Sequence, residues 1–177
     1  EGCVQLVCGS ARTLIDHVDS QDVVTFTGRF ETGIKLKSHP AVLNNSVPFN
    51  MEADSLNCCI LGMDAKPGTE EFDIFIKDVA KEMTIKAGQK CTAVRRAIVP
   101  ENLMEDVSKA LAARLKKVVI GDPQAEGVRM GALAGMEQLE DVRSKVELLK
   151  NNCEQVMGGT DFDVVGADKN AGAFMMP

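Results

Sequence analysis

Apolar positions along the chain alternate between short β-branched runs and longer stripes at helical spacing. Cys3-Val4-Gln5-Leu6-Val7-Cys8 is a short apolar run closed by Gly9-Ser10, which predicts a strand and a turn. Ser10 is placed to cap a short helix carrying Leu14, Ile15 and Val18. Residues 22–27 are rich in Val and Thr and predict a buried strand stopping at Gly28, with a helix over 31–38 after it. Pro48 pushes its predecessor into extended backbone, so 47–52 reads as extended, and 56–61 reads as a second buried strand ended by Gly62. Thr69 opens a helix over 70–86, where Phe72, Phe75, Ile76, Val79, Ala80 and Met83 recur every three or four residues before Gly88 stops it. Residues 96–100 predict a strand, and 101–117 a helix with Leu103, Val107, Leu111 and Leu115 on one stripe. After a turn at 118–123, residues 136–150 predict a helix with Leu139, Val142, Val146 and Leu149 facing inward. A short strand is expected at 154–157, and 160–177 is weakly patterned. Repeated strand–helix alternation predicts an α/β fold with a parallel sheet.

The 177 residues are 45% apolar and 26% charged, enough to build a core without disulfides. The six cysteines, at 3, 8, 58, 59, 91 and 153, form no CxxC pair and no Cys/His cluster, which argues against structural zinc. They read as reduced and mostly buried thiols in a cytoplasmic protein. A net charge of −6, with no Trp or Tyr, argues against nucleic acid and anionic membranes as partners. No apolar run is long enough to span a bilayer. The chain starts without Met, and both ends read as cut from a longer protein.

Among the thiols, Cys91 stands apart. It follows a helix and a Gly88-Gln89-Lys90 corner, with Arg95 and Arg96 nearby, and cationic surroundings favour the thiolate nucleophile. Taken alone, it reads better as a small buried hydrophobe. Cys58 and Cys59 lie in the apolar strand run and read as structural. Glu52, just ahead of that run, is placed to act as a general base in a dry site or else to be a solvated surface carboxylate. Gly28, between a strand and a helix, suits backbone contact with a phosphate, although no GxGxxG is present. His17 and His39 have no partner pattern and read as surface or loop residues.

Three of these pieces together resemble the aldehyde dehydrogenase superfamily. Phe26-Thr27-Gly28, followed by Glu31-Thr32-Gly33, resembles its FTGS-x-x-x-G cofactor turn, with Arg29 in place of the Ser. Gly88-Gln89-Lys90-Cys91 resembles its GQxC nucleophile motif, and Glu52 falls at its general-base position. The stretches 51–59 and 86–96 are most similar to the aldehyde-oxidising half of the bifunctional enzymes of bacterial phenylacetate degradation. The resemblance implies an NADP-dependent enzyme, with NAD as the alternative, that oxidises a CoA-linked semialdehyde to the acid through a thioester on Cys91. Glu52 would activate the hydrolytic water, and Gly28, Arg29 and Thr32 would lie along the cofactor's phosphates. Residues 1–50 would close a cofactor domain and 51–177 would form most of the catalytic domain. The full-length protein would be a homo-oligomer without a metal, and this slice alone would be inactive. Two alternatives remain open: an enzyme that passes the acyl group to CoA, and a non-catalytic assembly piece.

Overall fold

The computed structural model describes residues 2–8 and 13–177. The chain divides into two compact units, the first ending at Ser55 and the second being Leu56–Pro177.

The first unit is built on a parallel pair of strands, β1 (Val24–Gly28) and β2 (Phe49–Ala53), with Val24 opposite Phe49 and Thr27 opposite Glu52. Between them run helix α1 (Phe30–Lys37) and a short helix α2 (Pro40–Asn44). Gly33 is buried where α1 meets the strands: a Cβ there would lie 2.5 Å from the Met51 sulfur and 3.1 Å from the Phe26 ring. The glycine of the Glu31-Thr32-Gly33 motif therefore sets how closely helix and strands pack. α2 was not expected. Pro40 at its start and His39 Nδ1, which accepts a hydrogen bond from Ala41 N at 3.3 Å, are the local signals that build it. His39 is also no idle loop residue, for its Nε2 lies 3.1 Å from Asp16 Oδ1.

Three expectations for this unit fail, the first being burial of the strand at 22–27: no residue of β1 is buried and Val23 is 66% exposed. Residues 3–8 form no strand, and Val4 and Leu6 stand 93% and 87% exposed. An apolar run becomes a strand only where a neighbour takes its N–H and C=O groups, and none of the described strands does. The helix expected near Leu14 is one 3-10 turn, Leu14–His17, and its expected cap, Ser10, lies outside the described residues.

In the second unit, strands β3 (Cys58–Ile60) and β4 (Arg96–Ile98) pair in parallel. Helices α3 (Glu70–Thr84) and α4 (Met104–Leu115) pack against each other. Thr69 caps α3, accepting from Phe72 N at 3.3 Å. The expected stripe is the core: Phe72, Phe75, Ile76 and Val79 from α3 meet Leu103 and Val107. Each such side chain contributes about 1.5–3 kcal/mol on burial. The expected helix over 101–117 begins as a 3-10 turn, Glu101–Leu103, before α4 proper.

The strands themselves are less buried than their composition suggests. Of residues 56–61 only Leu61 is buried, while Leu56 and Ile60 are 68% and 66% exposed. A ladder of two strands covers neither of its own faces, so apolar strand residues stay open wherever no helix lies over them. The same geometry overturns the expectation of buried thiols: Cys59 is half-buried and the other five cysteines are exposed.

Helix α5 (Met136–Lys150) anchors through Leu139, which is 2% exposed, but its stripe runs off the core. Leu149 is 59% exposed and does not face inward as expected. Residues 154–157 form no strand. The weakly patterned tail is nonetheless tied in: Leu133 N donates to Ala173 O at 2.9 Å, Val165 bridges Gly121, and Phe174 packs with Ile120 and Met130. Gly121 admits no Cβ, because the main chain of Val165 occupies that space.

Candidate active site

The corner carrying Cys91 is built from an unusual piece of backbone. After α3, Lys86, Ala87 and Gly88 take φ of 52°, 52° and 74°. Left-handed backbone costs a non-glycine residue on the order of 1–2 kcal/mol, so two such residues persist only where their surroundings hold them. The sequence supplies those holds at several points. Gln89 Nε2 donates to Lys86 O at 2.9 Å, closing the left-handed turn on itself. Gln89 Oε1 accepts from Ala134 N at 2.9 Å, tying the corner to the segment before α5. Lys90 Nζ pairs with Glu82 Oε1 of α3 at 2.8 Å, both side chains being largely buried. Arg95 Nη2 donates to Lys90 O at 2.9 Å, and Asn57 Nδ2 donates to Cys91 O at 2.7 Å.

These contacts reassign the cations that the sequence places around Cys91. Lys90 is spent on Glu82, and the Arg95 guanidinium on main-chain carbonyls, so both act as scaffold for the loop. Glu82, Asn57 and the clamp role of Gln89 escaped sequence reading. Their contacts with Lys90, Cys91 and Ala134 span 8, 34 and 45 residues of chain, and no local pattern signals such pairs.

Cys91 is exposed and borders a cleft of about 600 Å³. Its walls are mostly apolar, from Met83, Met130, Leu133, Val142 and Met175, with Gln138, Lys90 and Arg95 as polar points. No Asp or Glu side chain of the second unit lines it among the described residues.

Cys58 and Cys59 differ from each other. Cys58 is exposed, against the expectation of a shielded structural thiol, whereas Cys59 is half-buried. Burial, followed by the nearby charges of Asp78 and Cys58, pushes the Cys59 thiol up from 9.0. Both effects disfavour the thiolate, so the nucleophilic form of Cys59 that iodoacetamide alkylates forms at higher pH. Peptide-resolved labelling with iodoacetamide should therefore show Cys59 lagging Cys91 at pH 8. Its rate should still be climbing above pH 9, and a plateau at or below pH 9 would contradict the burial.

The remaining candidates belong to the first unit. Glu52 sits on β2 opposite Thr27, with its side chain exposed. Gly28 ends β1, Arg29 caps α1 through its backbone, and Thr32 lies in the first turn of α1. The first intrahelical bond of α1 is Gly33 N to Arg29 O, so the N–H groups of Glu31 and Thr32 point out of the helix end. Backbone donors at such a helix start are of the kind that could meet a dinucleotide's phosphates. One donor is already used: Phe30 N donates to Asp54 Oδ1 at 3.2 Å, from a residue at φ 58° whose own N–H meets Gly28 O. Asp54 therefore caps α1 from the segment after β2, a role nothing in its sequence neighbourhood announces. No helix is long and apolar enough to cross a membrane, and no group of three metal-binding side chains is assembled, among the described residues.

A parallel-stranded α/β chain with a strained, clamped Cys corner over an apolar cleft matches one family along its whole length. The chain belongs to the aldehyde dehydrogenase family, whose profile matches residues 1–177. Among individual proteins it is similar to 3,4-dehydroadipyl-CoA semialdehyde dehydrogenase of Aromatoleum evansii. The two are 44% identical over 177 residues, covering 99% of this chain and 34% of that one. It is also 25% identical over 154 residues to an EPTC-inducible aldehyde dehydrogenase of Rhodococcus erythropolis, covering 87% of this chain and 30% of the relative. Of solved structures, betaine aldehyde dehydrogenase of Staphylococcus aureus in complex with NAD+ superposes with a TM-score of 0.76 at 26% identity. That superposition covers 88% of this chain and 29% of the other. A point mutant of the same enzyme, also with NAD+, gives 0.78 at 25% identity over 93% of this chain and 32% of the other. The chain thus spans about a third of the length of these relatives.

Proposed function

We propose that the chain is the nucleophile-bearing part of an NADP-linked dehydrogenase, with NAD as the alternative cofactor, that oxidises a CoA-linked aliphatic semialdehyde of aromatic degradation to its acid. The observation that carries this reading is Cys91 held on a clamped corner at an apolar cleft, in a chain 44% identical over nearly its whole length to a CoA-semialdehyde dehydrogenase. Residues 1–50 would close the cofactor domain and 51–177 would form most of the catalytic domain of a cytoplasmic homo-oligomer.

The Cys91 thiolate adds to the aldehyde carbon, forming a C–S bond while the carbonyl π pair moves to oxygen. A nicotinamide cofactor, when bound, would supply the acceptor for the hydride of that carbon. The alkoxide collapses to a thioester on Cys91. Glu52 takes a proton from water, the hydroxide displaces the Cys91 thiolate, and the acid departs. Gly28, Arg29 and Thr32, at the start of α1, would hold the cofactor's phosphates. Met83, Met130 and Met175 present flexible, polarisable walls to an alkyl chain.

The test offers the full-length enzyme CoA-linked and free aldehydes of equal chain length, with NAD or NADP and with or without added CoA. A higher kcat/KM for the CoA-linked aldehyde, with free acid as product whether or not CoA is added, is the expected result. An acyl-CoA product formed only with added CoA would establish the transferring alternative.

A further inference from the structure

We propose that Asn57 is a positioning residue for Cys91, acting through the main chain of the nucleophile corner; the proposal rests on the reading of Cys91 as the nucleophile. Asn57 lies one residue before β3 and is pinned there by its own carbonyl. That oxygen accepts from Arg95 N at 2.8 Å and Arg96 N at 3.2 Å, where β4 begins. Its side-chain Nδ2 then donates to Cys91 O at 2.7 Å and reaches Ala93 O at 3.4 Å. Arg95, immediately beyond, donates to Lys90 O at 2.9 Å and to Gly88 O at 3.4 Å. Two side chains fixed at the strand starts thus take four carbonyls of residues 88–93.

What the Asn57 contact controls is direction. The Cα–Cβ bond of Cys91 follows from the backbone angles on either side of it, and its carbonyl defines one of them. The corner emerges from three successive left-handed residues, so its relaxed course differs from its held one. Released at the Cys91 carbonyl, the loop turns Sγ away from its place over the cleft. Displacing a reacting atom by about 1 Å costs on the order of 10²-fold in rate. Asn57 touches neither substrate nor cofactor in this account.

The test uses full-length enzyme carrying Asn57→Ala or Asn57→Asp. Asn57 is exposed, so neither substitution opens a core cavity. The Asp side chain keeps the shape but offers only acceptors to the Cys91 carbonyl at neutral pH. Cys91 alkylation by iodoacetamide is followed peptide by peptide, with Cys153 as internal control, beside kcat and KM. Both variants should slow Cys91 alkylation and kcat about 10- to 100-fold, leaving Cys153 labelling and KM within about twofold. As pH falls from 7.5 towards 5, the Asp variant should regain rate relative to the Ala variant, because a protonated carboxyl donates again. Rates within about twofold of the parent in both variants would overturn the proposal, as would equal slowing of Cys153, or Asp and Ala variants with the same pH profile. If Cys91→Ala keeps its turnover while Asn57→Ala still slows Cys91 alkylation, the nucleophile reading falls and the anchoring stands.

Discussion

Cys91→Ala in the full-length enzyme should remove aldehyde oxidation almost entirely, lowering kcat by about 10⁴-fold or more. Without the thiol no C–S bond forms, so the hydride has no tetrahedral alkoxide to leave from. The substitution should spare the fold. Cys91 is exposed, so truncating it leaves no cavity. Asn57 and Arg95 bind main-chain oxygens, and Gln89 and Lys90 bind through their own side chains. An unchanged thermal unfolding midpoint together with absent reduced-cofactor absorbance is the expected pair of results. Intact-protein mass spectrometry should show an acyl adduct on the parent enzyme at steady state and none on the variant. Normal turnover by the variant would remove Cys91 from the chemistry.

Glu52→Gln should separate the two halves of the reaction. Attack by Cys91 and departure of hydride need no water activator, so both should persist. Hydrolysis should fail, because a neutral amide cannot accept the water's proton. General-base catalysis typically contributes about 10²–10⁴-fold, so steady turnover should drop by that factor. Rapid mixing of the variant full-length enzyme with aldehyde and cofactor should give a burst of about one reduced cofactor per site, then slow turnover, as an acyl-enzyme accumulates. The fold should tolerate the change, since Glu52 projects from β2 as an exposed side chain and the ladder to β1 uses only its backbone. No burst and no turnover would place Glu52 earlier, as the group that activates Cys91. Unchanged turnover would remove it from the mechanism and revive transfer of the acyl group to CoA.

Much of the architecture was legible from local pattern. The stripe from Phe72 to Met83 builds α3 because side chains three and four apart share a helix face, and Thr69 caps it where the sequence places a cap. The β-branched run before Gly28 and the Gly-Gln-Lys-Cys corner also stand where their motifs put them, because turns and short strands are written in a few adjacent residues. Burial was the weaker inference. Cys58, Ile60 and Leu149 are as apolar as core residues yet exposed, because an apolar side chain is buried only when another element arrives to cover it. Residues 3–8 show the same dependence for strands: β-propensity without a pairing neighbour leaves extended chain.

By itself, then, the sequence determined helices α1, α3, α4 and α5, the four paired strands, and the identity of the reactive thiol as a candidate, since each is encoded in a short window. Only the tertiary structure decided what holds that thiol. Asn57 and Cys91 are 34 positions apart, and Gln89 and Ala134 are 45 apart. The ion pair of Glu82 with Lys90 spans the end of a helix and a left-handed turn. Hydrogen bonds act over about 3 Å of space whatever the distance along the chain, so such partners exist only once the strands have paired and the helices have packed.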